Sequence, residues 1–268
     1  MLILTKPKMI DVFIIYSAKR SIDKLIAGLS SISFLNINII NGVFINSEND
    51  LSAEIYDSSR AKLIYGRNFS LGEIGCALAH NICRKKAAKS SSISLILEDD
   101  VAIFNLDTLY SFLLKLESEI NIQDNIVINI ARDSWVDQKF NYPQLNNSWS
   151  TTLGATPLAA AYIVTPRSAL ALYIKNSPIS FLADWPPAKV KFGKSRISLF
   201  IHDSDSIKSL ISIGKGKKRS GFSNRELISV YTTFYFVKNM NKFNGFMDFL
   251  STMWLPRVRD MLTYRIGV

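Results

Sequence analysis

Apolar residues along this chain fall into two kinds of grouping, short β-branched runs and longer stretches with a helical period. Val12 to Ile15 reads as a strand buried on both faces. A helix is expected from about Ser21 to Ser30, then a strand at Ile37 to Ile40, with Asn41-Gly42 as a turn. A polar loop follows to about Arg67. Ser70-Leu-Gly-Glu73 has capping-box spacing, so a helix is expected through Cys76, His80 and Lys86, and Lys89 to Ser92 leads into a strand at Ile93 to Leu97. Leu106 to Leu116 has helical periodicity, and Asn125 to Ile130 reads as a strand leading to Ala131-Arg132-Asp133.

Trp135 to Thr156 has no sustained period and predicts a long loop. Ala159 to Val164 reads as a strand, and Pro166 opens a helix to about Lys175. Ser177 to Pro187 is expected to be a structured loop, followed by a strand at Ile197 to His202 and a flexible segment at Gly214 to Gly221. Alternating β and α segments predict an α/β fold, a mainly parallel sheet covered by helices, with ligand sites at the carboxyl ends of the strands. The division expected is residues 1–213 as one domain and 214–268 as a basic linker with an amphipathic helical extension. In that extension Phe243, Phe246, Phe249, Leu250, Met253 and Trp254 form one helical face. It suits either an interfacial helix on anionic lipid or a terminal helix packed on protein.

The acidic triplet Glu98-Asp99-Asp100 stands at the mouth of the buried run Ile93 to Leu97. Crowded carboxylates repel one another and resist desolvation, so a bound cation or a cationic partner would stabilise them. Strand alternation would turn Glu98 and Asp100 to one face as oxygen ligands for Mn2+ or Mg2+, leaving Asp99 on the other. The plainer reading is a solvated or capping acidic loop.

The 268 residues are 48% hydrophobic and 20% charged, ordinary globular composition. Cys76 and Cys83 lie seven residues apart in one expected helix, about 10 Å along its axis, too far for a disulfide. With no signal peptide evident at Met1, a cytoplasmic location is expected. Leu25 to Ser47 is uncharged, but its serines and asparagines argue against a membrane span. The net charge of +10 attracts anions. Its dense runs, Arg84 to Lys89 and Lys215 to Arg219, lack interleaved aromatic residues, so no nucleic acid partner is expected.

Three segments in order, Leu71-Gly-Glu-Ile-Gly-Cys-Ala-Leu-Ala-His80, Leu97-Glu-Asp-Asp-Val101 and Ala160-Ala-Tyr-Ile-Val-Thr-Pro-Arg-Ser-Ala169, resemble glycosyltransferase family 25, which includes bacterial lipooligosaccharide galactosyltransferases. The resemblance covers about Asp11 to Ile207. It implies a GT-A type Rossmann-like fold and inverting transfer of a hexose, galactose above all, from a UDP-sugar. The acceptor it implies is a lipopolysaccharide, lipooligosaccharide or capsular oligosaccharide, which could be lipid-linked at the cytoplasmic face of the inner membrane. The family's acidic motif maps onto Glu98, Asp99 and Asp100 as donor and metal contacts. His202 is a further candidate metal ligand by analogy with a late His in other enzymes of that fold. Asp184, beside Trp185, is the first candidate for the base that deprotonates the acceptor, with Asp133 in reserve. Ser17, Lys19 and Arg20 follow the first strand where a nucleotide phosphate would lie. His80 is either a buried hydrogen-bonded residue or a contact to the nucleotide sugar. Glu73 and Gly75 read as structural, a capping acid and a close approach of helix to strand.

Two rival readings use the same residues. A metal-dependent phosphoryl or nucleotidyl transferase would need the acids, but the chain has no complete Gly-x-x-x-x-Gly-Lys-Ser/Thr phosphate loop and no further acidic cluster clearly suited to two metals. A non-catalytic module binding anionic saccharide or membrane would need only the basic surface.

Overall fold

The structure, a computed structural model, describes residues 7–131, 149–152, 159–183, 190–195 and 199–202. The expected strand at Val12 to Ile15 is the centre of β1 (Ile10–Tyr16). It is followed by α1 (Asp23–Ser30), β2 (Leu35–Asn41), a single 3-10 turn at Glu48–Asp50, α2 (Ser58–Tyr65), α3 (Leu71–Ala87) and β3 (Ser94–Glu98). Then come β4 (Val101–Ile103), α4 (Leu106–Glu119), β5 (Ile126–Asn129), β6 (Trp149–Thr152), β7 (Ala161–Val164), α5 (Pro166–Lys175), β8 (Lys191–Ser195) and β9 (Phe200–His202). The protein is a mixed α/β structure. Its seven-stranded sheet has the order β2-β1-β3-β7-β5-β8-β6, and β4 pairs with β9 in a separate ribbon.

The sheet is mainly parallel in direction. β2, β1, β3, β5 and β8 run one way, while β7 is antiparallel to both β3 and β5, and β6 is antiparallel to β8. Strand alternation divides the core between the two faces. Val12, Ile14, Leu95 and Leu97 pack with Leu25 and Leu29 of α1 and Leu109, Phe112, Leu113 and Leu116 of α4. Phe13, Ile15 and Ile96 face the other way, against Ala79, Cys83 and Ala87 of α3 and Ala169 and Leu172 of α5. Each such aliphatic side chain taken fully out of water contributes about 1.5–3 kcal/mol before chain entropy is counted.

Two helix starts follow directly from their sequences. Ser70 Oγ accepts from the Glu73 N–H and Glu73 Oε2 from the Ser70 N–H, the reciprocal capping box that opens α3. Thr165 caps α5 ahead of Pro166, with Ser168 completing the reciprocal pair. Gly75 sits where α3 crosses the segment after β2, and a Cβ there would lie 2.2 Å from the Val43 carbonyl oxygen.

The chain divides into two compact units, Met1–Ser58 with Phe69–Lys217, and Ser59–Asn68 with Lys218–Val268. The described part of the second is residues 59–68, which carry most of α2. The boundary expected at 213/214, the basic segment Gly214 to Gly221 and the amphipathic extension lie outside the described residues.

Several elements differ from the sequence expectation. α2 occupies part of the expected polar loop, although Ser-Ser-Arg-Ala-Lys-Leu-Ile-Tyr carries only a weak apolar period. β6 lies within the expected long loop, and β8 was not expected. Trp-Ser-Thr-Thr and Lys-Phe-Gly-Lys-Ser are strands because a neighbour pairs with them, not because their own pattern demands it. Among the described residues no helix is long and apolar enough to cross a membrane, and the uncharged stretch Leu25 to Ser47 contains the end of α1 and all of β2.

Candidate functional site

Parallel strands β1 and β3 bring the segment after Tyr16 beside the acidic triplet, with Ile15 in register with Glu98. Ala18 has φ of 59°, in the left-handed region where a Cβ is strained by about 1–2 kcal/mol. Just before this reversal the Ser17 N–H donates to Asp99 Oδ2, 2.7 Å away, and the Ser17 hydroxyl donates to the same oxygen. Arg20 Nη1 then stands 3.6 Å from Asp99 Oδ1 and 3.4 Å from Asp100 Oδ2. Lys19 turns aside, its Nζ lying over the Phe44 ring at 5.7 Å from the centroid.

The expected sharing of a face by Glu98 and Asp100 does not occur. β3 ends at Glu98 and the next two residues form a turn, so the period of two stops there, and it is Asp99 and Asp100 that converge on Arg20. Glu98 instead continues the Ile96 face toward α3, where its Oε1 lies 2.9 Å from His80 Nε2.

His80 is fully buried, one of the two readings left open by its sequence. Its Nδ1 is 3.0 Å from the Tyr162 hydroxyl on β7, and the two rings stack with centroids 5.7 Å apart. The tautomer with its proton on Nε2 satisfies both contacts, donating to the Glu98 carboxylate and accepting from the Tyr162 hydroxyl at Nδ1. Burial pushes the Tyr162 hydroxyl well above the usual phenol range, against a lowering effect of Arg84, and keeps it protonated.

Arg84, one turn further along α3, is also buried. It donates to Asn81 Oδ1 at 3.3 Å and to the Ala183 carbonyl at 3.0 Å, and its guanidinium lies over the Tyr162 ring. Asn81 donates in turn to the Asn176 carbonyl at the end of α5. A polar seam thus runs along the inner face of α3 from the acids to the residue preceding Asp184.

Asp184 and Asp133 themselves lie outside the described residues, as does Trp185. Their approaches are described: Ala183 is held by Arg84, and Ala131 bridges to Phe200. For His202 only the backbone is described. The β4–β9 register sets it opposite Val101, the residue directly after Asp100. The carboxylate oxygens of Asp100 are donors of the kind that Mn2+ and Mg2+ take.

Sequence reasoning passed over Tyr162, Arg84 and a ligand role for Cys76. The signal for Cys76 is its spacing of four from His80, which places both on one helix face. Cys76, His80 and Glu98 each offer a donor atom, all within 4.8 Å of one another.

The family model described as glycosyltransferase family 25 (LPS biosynthesis protein) matches residues 9–184. Among solved structures, the apo form of the glycosyltransferase GlyE from Streptococcus pneumoniae is similar, at 13% identity and a TM-score of 0.29. The alignment covers 85% of this chain and 44% of that one, so the chain spans less than half of GlyE's length. A protein described as a glucose-1-phosphate thymidylyltransferase from Bacillus anthracis, in complex with sucrose, aligns at 10% identity and a TM-score of 0.35, over 80% of this chain and 98% of its own. No curated protein matches the chain.

Proposed function

Because the chain belongs to glycosyltransferase family 25, the family of lipopolysaccharide biosynthesis, we propose that it moves galactose from UDP-galactose to a saccharide acceptor. The acceptor class is a lipopolysaccharide, lipooligosaccharide or capsular oligosaccharide. The observation that supports this reading most directly is the meeting of Ser17, Arg20, Asp99 and Asp100 at the carboxyl ends of β1 and β3, the edge where an α/β sheet takes its ligand.

Arg20 is the phosphate-binding cation, a planar fork suited to two oxygens of the donor diphosphate, while Lys19, turned toward Phe44, contributes positive charge only at longer range. Ser17 and Asp99 hold the Arg20 loop in place. Asp100 and His202 are the residues that would hold Mn2+ or Mg2+, with Glu98 drawn toward His80. When bound, such a cation stabilises the negative charge that develops on the leaving diphosphate. The acceptor hydroxyl attacks the anomeric carbon, the bond to the diphosphate oxygen breaks with its electron pair, and the acceptor proton passes to Asp184, or to Asp133. Attack opposite the leaving group inverts the anomeric carbon. The net charge of +10 favours an acceptor bearing phosphate and peripheral contact with anionic lipid.

Turnover of a panel of nucleotide sugars by the full chain, with Mn2+ and then with a chelator, tests the reading. Release of UDP from UDP-galactose that stops on chelation is the expected result. Turnover of another donor alone overturns the galactose assignment, and turnover of none overturns the transferase reading.

A further inference from the structure

The geometry points to Cys76, His80 and Glu98 as a binding site for one borderline divalent cation of the zinc class, separate from the oxygen-rich set at Asp100. Cys76 and His80 lie one turn apart on the same face of α3, and Glu98 meets them from the end of β3. A thiol sulfur, an imidazole nitrogen and a carboxylate oxygen all fall within 4.8 Å of one another, and the His80–Glu98 contact is 2.9 Å. Around tetrahedral zinc, with bonds of about 2.0–2.3 Å, ligand atoms lie about 3.5 Å apart, so a shift of side-chain rotamers of about 1 Å assembles the site.

The ligand chemistry selects the ion. A thiolate beside an imidazole favours zinc or cobalt over magnesium, and one thiolate with one carboxylate balances a charge of two. Tyr162 supplies the outer partner that metal-bound histidines use: its hydroxyl fixes the ring through Nδ1, leaving Nε2 for the ion. Binding releases the thiol proton to solvent, while the single imidazole proton shifts from Nε2 to Nδ1, where it donates to Tyr162 Oη and so reverses the direction of that hydrogen bond. Cys76 is exposed, which gives the ion an entry path and leaves a coordination position for water. Cys83, buried farther along the helix, does not reach this group. Loading the site would clamp α3 to the end of β3 immediately before the Asp99–Asp100 turn.

Cobalt titration of the metal-depleted full chain tests this by the thiolate-to-cobalt absorption band in the near ultraviolet. One equivalent should produce the band, zinc should abolish it, and Cys76→Ser should lack it while remaining folded by circular dichroism. Glu98→Gln should weaken cobalt binding tenfold or more. In the unaltered protein, zinc should slow alkylation of Cys76 by iodoacetamide at least tenfold, read by peptide mass. A folded protein that gives no band, a band that survives Cys76→Ser, or Cys76 labelling indifferent to zinc overturns the site.

Discussion

The Ser17 N–H donates to Asp99 Oδ2 at 2.7 Å, joining the ends of β1 and β3 across 82 residues of chain. The bond restrains a loop already strained at Ala18, and the same carboxylate receives the Ser17 hydroxyl. Removing the acceptor therefore costs more than removing one donor. Asp99→Ala should destabilise the protein by about 1–3 kcal/mol, leaving a partly buried N–H unpaired, whereas Ser17→Ala should cost about 1 kcal/mol or less. Urea denaturation of both variants measures the difference, and equal losses would count against Asp99 as the anchor.

Much of this arrangement was legible in the sequence because it follows from local chemistry. The runs at Val12 to Ile15 and Ile93 to Leu97 announced β1 and β3, and the Ser70–Glu73 spacing announced the start of α3. Those signals are periodicity and capping, which act over a few residues. The partners of the acids were not legible in the same way. Glu98 faces His80 and Asp100 faces Arg20 because β3 ends between them, and where a strand ends depends on its neighbours. β6 and β8 are not legible in their own residues for the same reason, their pairing being decided across the sheet.

Gly75 and Gly72 lie on the same helix with opposite surroundings. A Cβ at Gly75 would meet the Val43 carbonyl oxygen at 2.2 Å, a backbone atom that cannot rotate away, while one at Gly72 would meet nothing within 4 Å. Gly75→Ala should lower stability by about 1–3 kcal/mol or more, overwhelming the helix-propensity gain of about 1 kcal/mol. Gly72→Ala, in the first turn, should raise stability by roughly 0.5 kcal/mol. Thermal melts of the two variants should shift in opposite directions, and a neutral Gly75→Ala would refute the close approach.

Burial pushes the Cys83 thiol from 9.0 up to about 12, with Arg84 opposing the rise. The folded state therefore keeps this proton between about pH 9 and 12 while the unfolded chain gives it up. A raised folded value contributes stability that is complete below pH 9 and is lost as pH climbs toward 12, by up to about 1.4 kcal/mol per unit. Cys83→Ala should flatten the alkaline limb of the stability curve, and an unchanged slope would show that this thiol does not govern it.

Arg20 stands within 4 Å of both Asp99 and Asp100, so its two possible duties, neutralising the acids and gripping a donor diphosphate, must be separated experimentally. Arg20→Lys keeps the charge and loses the planar fork, whereas Arg20→Gln loses both. If the fork grips phosphate, Arg20→Lys should raise KM for the nucleotide sugar about tenfold or more with kcat little changed, the signature of lost uniform binding. If Arg20 only neutralises the acids, lysine should substitute well. Asp100→Asn supplies the contrast, because if Asp100 holds the cation, the change weakens a ligand whose effect falls on the leaving charge. It should lower kcat by about 100-fold and raise the Mn2+ concentration needed for half activity. Steady-state kinetics on the four proteins, with Mn2+ titrated in each, would resolve the roles. A lysine variant indistinguishable from the parent would remove Arg20 from donor binding, and an Asp100→Asn variant with unaltered Mn2+ dependence would remove that acid from the metal site.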